Sequence, residues 1–324
     1  MRLLRHLAFA MCMVAGSTAL AAPPFSGTWV NSAPMKAEAM SGKVIVLYFY
    51  EEGCPSCRAK WPGLIEASKQ FTDEPVLFIA VNSGNDPKAV ESYLKGVNCD
   101  WPALADIDRA YEKSADVGTI SLQNIYQARI ITPSGKMVQA DTGNLAGSVK
   151  TYLPQAKWKV DPKIVPESMK AAWKAMEFGD YALASAVVKR TIKSSDEKAR
   201  TAAQAMDKAI TVDVEALFAE GAKAEASGQK WEAYKAYDRA AKTFRGHPKA
   251  TEAAAAAKKL AADKDLKDEI KAMALLERAQ TMLQSRNRQE QRSAATMLEA
   301  IAKQFESTEA GKAAAKMAAS IPAE

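Results

Sequence analysis

The chain has 324 residues, 48% hydrophobic and 25% charged, with a formal net charge of +6. That is ordinary globular material, enough for two domains of roughly 150 residues each. The charge is too mild and scattered for a nucleic-acid surface, and no later run approaches the ~18 apolar residues of a membrane span.

The first 22 residues differ from the rest: Arg2 and Arg5 precede the short apolar stretch "LAFAMCMVAG", and "ALAA" offers a small-residue cleavage site. This predicts a secretory signal peptide over 1–22, cut near Ala21/Ala22, and an exported, periplasmic or secreted protein. Cys12 lies in the apolar stretch without the context of a lipid-modified cysteine. Cleavage leaves Cys54, Cys57 and Cys99 as the cysteines and His247 as the only histidine. Export would put these thiols where disulfides form and persist.

In chain order, "VIVLYFY" (44–50) predicts a strand buried on both faces, and "PVLFIAV" (75–81) a second. A helical segment from Cys57 to Phe71 joins them, giving a βαβ unit and a parallel sheet. "AVESYLKG" (89–96) and "DRAYEKSA" (108–115) read as helices. "ARIIT" and "KMVQA" read as a hairpin around the Pro133–Gly135 turn, and "LAGSVKTYL" (145–153) as a closing helix. Residues 154–168 carry three prolines and little periodicity, and read as a linker. Beyond it, 169–324 is rich in Ala, Lys, Glu, Met and Leu and predicts helices throughout.

That helical part repeats weakly. Ala184, Val188 and Thr191 recur as Ala233, Tyr237 and Ala240, and again as Ala294, Leu298 and Ile301. The pattern resembles tetratricopeptide repeats, in which small residues let paired helices approach. The copies lie 49 and 61 residues apart, beyond the ~34 of a regular array. Either interrupted helical pairs or a plain bundle fits, and both suit binding better than chemistry.

The chemistry-bearing motif is Cys54-Pro55-Ser56-Cys57. Cys54 would stand just before a helix, where unsatisfied N–H groups favour a thiolate. Cys57, one turn on and more buried, would resolve a mixed disulfide. A zinc site would need about four ligands, and neither a second Cys pair nor a histidine is available between the leader and the linker, which also disfavours a copper site. A structural disulfide across four residues would constrain the unfolded chain little. Neither metal nor cofactor is expected.

"GKVIVLYFY" leading into the Cys pair, "CRAKWP" with Pro62 five residues after Cys57, "CDWPALADIDRAYEKSADV" and "RIITPSGKMV" together resemble the thioredoxin-like superfamily, within it the exported TlpA/redoxin branch. The resemblance spans residues 25–153. It implies an α/β thioredoxin-like fold over 23–153 and a thiol–disulfide oxidoreductase acting on protein thiols. The all-α, helical-repeat-like domain expected over 169–324 falls outside it and carries only the repeat likeness, which would leave those helices available to a protein partner. Three positions depart from the family. Tyr126 stands where the cis-proline beside the Cys pair is expected, so Ile125, Tyr126, Pro55 and Ser56 become the candidate substrate groove. Gly53 replaces a frequent tryptophan. Tyr48 replaces the buried acid found six residues before the first cysteine. These departures keep open an alternative, a non-catalytic scaffold that binds through its helices. Glu51 and Glu52 read as solvated loop residues, Trp61 and Trp101 as core or groove lining, and His247 as a surface turn. Cys99 reads as a small core hydrophobe or a third thiol.

Overall fold

Every residue of β3 (Val44–Tyr50) is buried, and the rest of the sheet is built outward from it. The structure is a computed structural model; it describes residues 20–35, 40–121, 123–125, 127–283 and 287–321. The other strands are β1 (Leu20–Ala21), β2 (Thr28–Val30), β4 (Val76–Ser83), β5 (Ala103–Asp106), β6 (Gln127–Ile131) and β7 (Lys136–Gln139), in the order β1-β7-β6-β3-β4-β5-β2. β3, β4 and β5 run parallel, whereas β6, β7, β1 and β2 pair antiparallel with their neighbours. This is a thioredoxin-like sheet. β1, β2 and β5 were not expected from the sequence. β5 reads "ALAD", four residues without a β-branched or aromatic side chain, so its strand propensity is weak and the pairing with β4 holds it.

Side chains alternate along β3. Val44, Val46, Tyr48 and Tyr50 face a core made with α1 (Pro55–Lys69), α2 (Pro87–Gly96) and α4 (Leu145–Tyr152). Ile45, Leu47 and Phe49 face a second core with Tyr111 of α3 (Ala110–Ser114). Asp106, at the end of β5, accepts the N–H groups of Tyr111 (3.1 Å) and Glu112 (2.8 Å) and so anchors α3. Its burial pushes the carboxyl up to about 6.

The helical part comprises α5 (Lys170–Glu177), α6 (Tyr181–Thr191), α7 (Glu197–Ala226), α8 (Lys230–Thr243), α9 (Pro248–Ala261), α10 (Lys264–Leu283), α11 (Arg288–Gln304) and α12 (Glu309–Ser320). The recurring triads fall on α6, α8 and α11, the second helices of the α5/α6, α7/α8 and α10/α11 pairs, and all but Thr191 are buried. Gly221 of α7 shows why small residues recur: a Cβ there would meet the Tyr237 ring at 2.7 Å. The long spacings arise from the 30-residue α7 and the added α9. His247 is not simply a surface turn. It caps α9, its Nδ1 accepting from Lys249 N–H at 3.2 Å while Nε2 meets Thr211 Oγ1 at 3.1 Å.

Residues 154–168 are laid against both parts. Lys157 N–H donates to Gly42 O at 2.7 Å and Trp158 Nε1 to Asp73 O at 3.1 Å, while Val160 and Val165 enter the helical core. Beneath them Lys43, one residue before β3, meets Glu177 of α5 at 2.8 Å, both side chains fully shielded from water. Glu177 also accepts the backbone N–H groups of Lys159 (3.1 Å) and Val160 (2.9 Å). Burial pulls the Lys43 ammonium below its usual range, and Glu177 opposes that pull.

Two stability outcomes follow. Glu177→Ala strands a buried ammonium and two N–H groups, and is expected to cost about 3–5 kcal/mol, read as a lower urea midpoint. Asp106 holds its proton more tightly folded (about 6) than unfolded (about 4). It therefore favours folding fully below about pH 4 and loses that contribution as pH rises through about 6. Asp106→Asn should flatten that interval in urea midpoints measured against pH.

Candidate active site

Strand β3 ends at Tyr50, and four residues later Cys54 caps α1. Its backbone is extended (φ −94°, ψ 109°), and its Sγ accepts the Cys57 N–H at 3.2 Å. Pro55 takes the first helical position, where its missing N–H is no loss and its fixed φ suits the helix. Pro62 lies inside α1, in the place the family pattern predicts. Among the described residues, the cysteines Cys54, Cys57 and Cys99 are free thiols.

Cys54 is not the exposed attacker expected from the sequence. It is only 2% exposed, because its Sγ turns back over the helix's first turn to take the Cys57 N–H. Pro55 and Ser56, beside it, are exposed. Cys57 is fully buried, and its thiol is pushed up to about 12, first by burial and then by its hydrogen bond toward Cys54, with the Glu51 backbone opposing. Glu52 also departs from expectation: it is half-buried and accepts from Asn82 Nδ2 at 3.4 Å. Burial, then Asp86, raises its carboxyl above the usual range.

Behind Cys57 lies an aromatic cluster. Trp61, one turn along α1, meets Tyr50 (5.1 Å), Tyr48 (5.4 Å), Trp101 (5.6 Å) and Tyr93 (6.5 Å). Trp61 and Trp101 are thus core residues, and Tyr48 packs edge-on against Trp61 where thioredoxins carry an acid. Cys99 follows α2 and joins this core. Its thiol is also pushed up to about 12, by burial, with the Trp101 backbone and Asp100 as lesser influences; neither Cys54 nor Cys57 figures among them.

β6 begins opposite Phe49, so the segment before it, with half-buried Ile125, arrives at the same end of the sheet as the Cys pair. Tyr126 lies outside the described residues. Asn124 shapes this loop, donating to Val117 O (3.0 Å) and Thr119 O (3.1 Å). Asn82 and Tyr93 were missed at the sequence level; their side of the sheet follows from the β3–β4 register, which a single chain does not display.

Residues 19–140 match the AhpC/TSA family. Among curated relatives, the thiol-disulfide oxidoreductase ResA of Bacillus subtilis is 27% identical over 128 residues, 40% of this chain and 69% of ResA. The soluble secreted antigen MPT53 of Mycobacterium tuberculosis is 29% identical over 84 residues, 26% of this chain and 47% of MPT53. Among solved structures, the thioredoxin domain of a Bacteroides vulgatus thiol-disulfide oxidoreductase aligns with 18% identity and a TM-score of 0.36, covering 42% of this chain and 98% of that one. The region from 19 to 140 is therefore similar to the AhpC/TSA family, in keeping with its thioredoxin-like fold. No helix among the described residues is long and apolar enough to cross a membrane.

Because thiolates react and thiols do not, Cys57 and Cys99 should resist iodoacetamide near neutral pH in the folded, reduced protein. Both should label at once in guanidinium, with mass spectrometry reading the sites.

Proposed function

We propose that the chain is an exported thiol–disulfide oxidoreductase in which Cys54 attacks and Cys57 resolves. The observation that carries this reading is the Cys54 Sγ at the α1 N-cap with the buried Cys57 thiol one turn behind it. In the reducing direction, the Cys54 thiolate attacks a client disulfide, one client sulfur leaves as thiolate, and a mixed disulfide forms. Cys57 then attacks Cys54 Sγ, the second client sulfur leaves, and two electrons have passed from the protein dithiol to the client. The client class is a protein thiol or disulfide, in keeping with the thiol-disulfide chemistry in the name of the relative ResA.

The wider organisation belongs to the same proposal. A leader over 1–22 directs export, residues 23–153 hold the chemistry, 154–168 join the two parts, and 169–324 form tetratricopeptide-like helical pairs that dock a protein partner. Residues Pro55, Ser56, Ile125 and Tyr126 form the client groove, and Cys99 is a core thiol. The burial of Cys54 favours the second reading, a scaffold with an idle Cys pair.

Dithiothreitol-dependent reduction of a protein disulfide separates the two. Wild type should turn over, Cys54→Ser should fall to background, and Cys57→Ser should accumulate a mixed disulfide visible on non-reducing gels. A Cys54→Ser protein as active as wild type would leave the scaffold reading standing. Intact-mass analysis of exported protein should show a start near Ala22.

A further inference from the structure

The loop from α3 to β6 delivers Ile125 to the end of the sheet that holds the Cys pair, and no proline stiffens it: none lies between Pro102 and Pro133. Side chains tie it down instead. Ile120 is buried in the second core, and both of its backbone groups are taken from the direction of α3. Arg109 Nη1 donates to its carbonyl at 3.0 Å, and Glu112 Oε1 accepts its N–H at 2.9 Å. Asn124, which bonds Val117 O and Thr119 O, also accepts from Gln127 Nε2 at 2.8 Å. Arg129 of β6 closes the other side, donating to Asp116 O at 2.6 Å. The loop is thus fixed at Ile120 from α3 and at Asn124 from β6, with Ile125 following directly.

The α3 half of this clamp is unfavourable for folding by itself. Arg109, just before α3, has φ 57° and ψ 25°, a left-handed conformation that penalises a residue with a Cβ and leaves glycine unpenalised. Gly84 makes room for it, since a Cβ there would stand 3.1 Å from Arg109 Nε. The guanidinium is held on its other edges, with Nη2 at 3.5 Å from Ser83 O and Nη1 at 3.7 Å from Glu112 Oε1. Glu112 is 1% exposed, and its second carboxylate oxygen has no hydrogen-bond partner among the described residues. A buried unpaired oxygen is destabilising. A strained backbone and an unsatisfied carboxylate, both converging on one loop residue, point to a shape kept for function.

We propose that Arg109 and Glu112 are positioning residues that, by clamping Ile120, hold the loop in the shape that admits a protein client beside the Cys pair. The inference rests on the dithiol reading of Cys54 and Cys57 and on Ile125 as part of the client groove. A protein client lies across the mouth and needs the loop in place. A small disulfide reaches the Cys pair without it. Loosening the clamp lowers the fraction of molecules ready to bind a protein and leaves the chemistry of the thiols alone.

The test assays the full chain with two disulfides: dithiothreitol-driven reduction of insulin, a protein, and stopped-flow reduction of dithiobisnitrobenzoate, a small molecule. Arg109→Gly removes the guanidinium while accepting the left-handed backbone, so its urea midpoint should hold or rise. Its KM for insulin should nonetheless rise about tenfold, the loss expected from one or two clamping hydrogen bonds. Its kcat and its rate with the small disulfide should be unchanged. Amide exchange at Ile120 and Asn124 should quicken in this variant while α1 keeps its protection. Glu112→Leu, which fills the space without an acceptor, should raise KM likewise, and Glu112→Gln, which keeps an acceptor for the Ile120 N–H, should stay near wild type. A wild-type KM in both Arg109→Gly and Glu112→Leu would overturn the clamp and leave the dithiol reading intact. So would a KM rise in Arg109→Gly matched by equal slowing with the small disulfide, because the Cys pair itself would then be disturbed. A wild-type protein that reduces neither disulfide would overturn the dithiol reading and the clamp together.

Discussion

The buried pair Lys43–Glu177 is the constraint on which the arrangement of the two parts depends. It lies at the start of β3, and the Cys pair lies just past its end. β3 is seven residues long, so at ~3.3 Å per residue the two are about 20 Å apart. The helices therefore grip the sheet at the end opposite the Cys pair. A buried ion pair is a poor source of net stability but a severe penalty when half of it is missing. Its effect here is to make one docking of α5 against the sheet far better than any other. Glu177 is suited to this because it serves three donors at once: the Lys43 ammonium and two N–H groups of the strap. Strap and ion pair thus stand or fall together.

At the other end of β3 the governing fact is desolvation. The first turn of α1 offers N–H groups to Cys54, while the aromatic cluster denies Cys57 any water. The two thiols thus lie within four residues in different surroundings, one at a helix N-terminus and one against an aromatic core. On the dithiol reading this creates a difficulty, since a thiol that is too well buried cannot resolve anything. At position 48 a tyrosine ring packs edge-on against Trp61 at 5.4 Å, so the sheet face behind Cys57 is aromatic.

Much of the thioredoxin-like part was legible because its signals are local. Seven consecutive residues rich in β-branched and aromatic side chains favour a doubly covered strand, and Pro133–Gly135 favours a turn. β5 was not legible, because "ALAD" acquires its strand character from β4 alone. Nor was the depth of Cys54, which depends on a side-chain torsion that spacing does not encode. The Lys43–Glu177 pair joins residues 134 apart in sequence, and nothing local marks either residue as buried. Glu52 looked solvated because a loop glutamate usually is, and only Asn82, thirty residues on, draws it inward.

The helical part shows the same limit in another form. The small-residue triads were readable, but the helices between them were not countable from spacing, since a 30-residue α7 and an inserted α9 both lengthen the interval. Each helical pair buries its face only against a neighbour, so the chain of pairs needs an anchor and a terminus. The sheet provides the anchor through α5. Toward the other end, α10, α11 and α12 close on a core of their own, and Glu269 of α10 accepts the Glu309 (2.8 Å) and Ala310 (2.9 Å) N–H groups that open α12. A carboxylate at a helix N-terminus recurs at α6, α7 and α12. At α6 and α7 it comes from the preceding residue, at α12 from a different helix. That long-range cap ties α12 to α10 across α11, so the terminal three helices close as a unit.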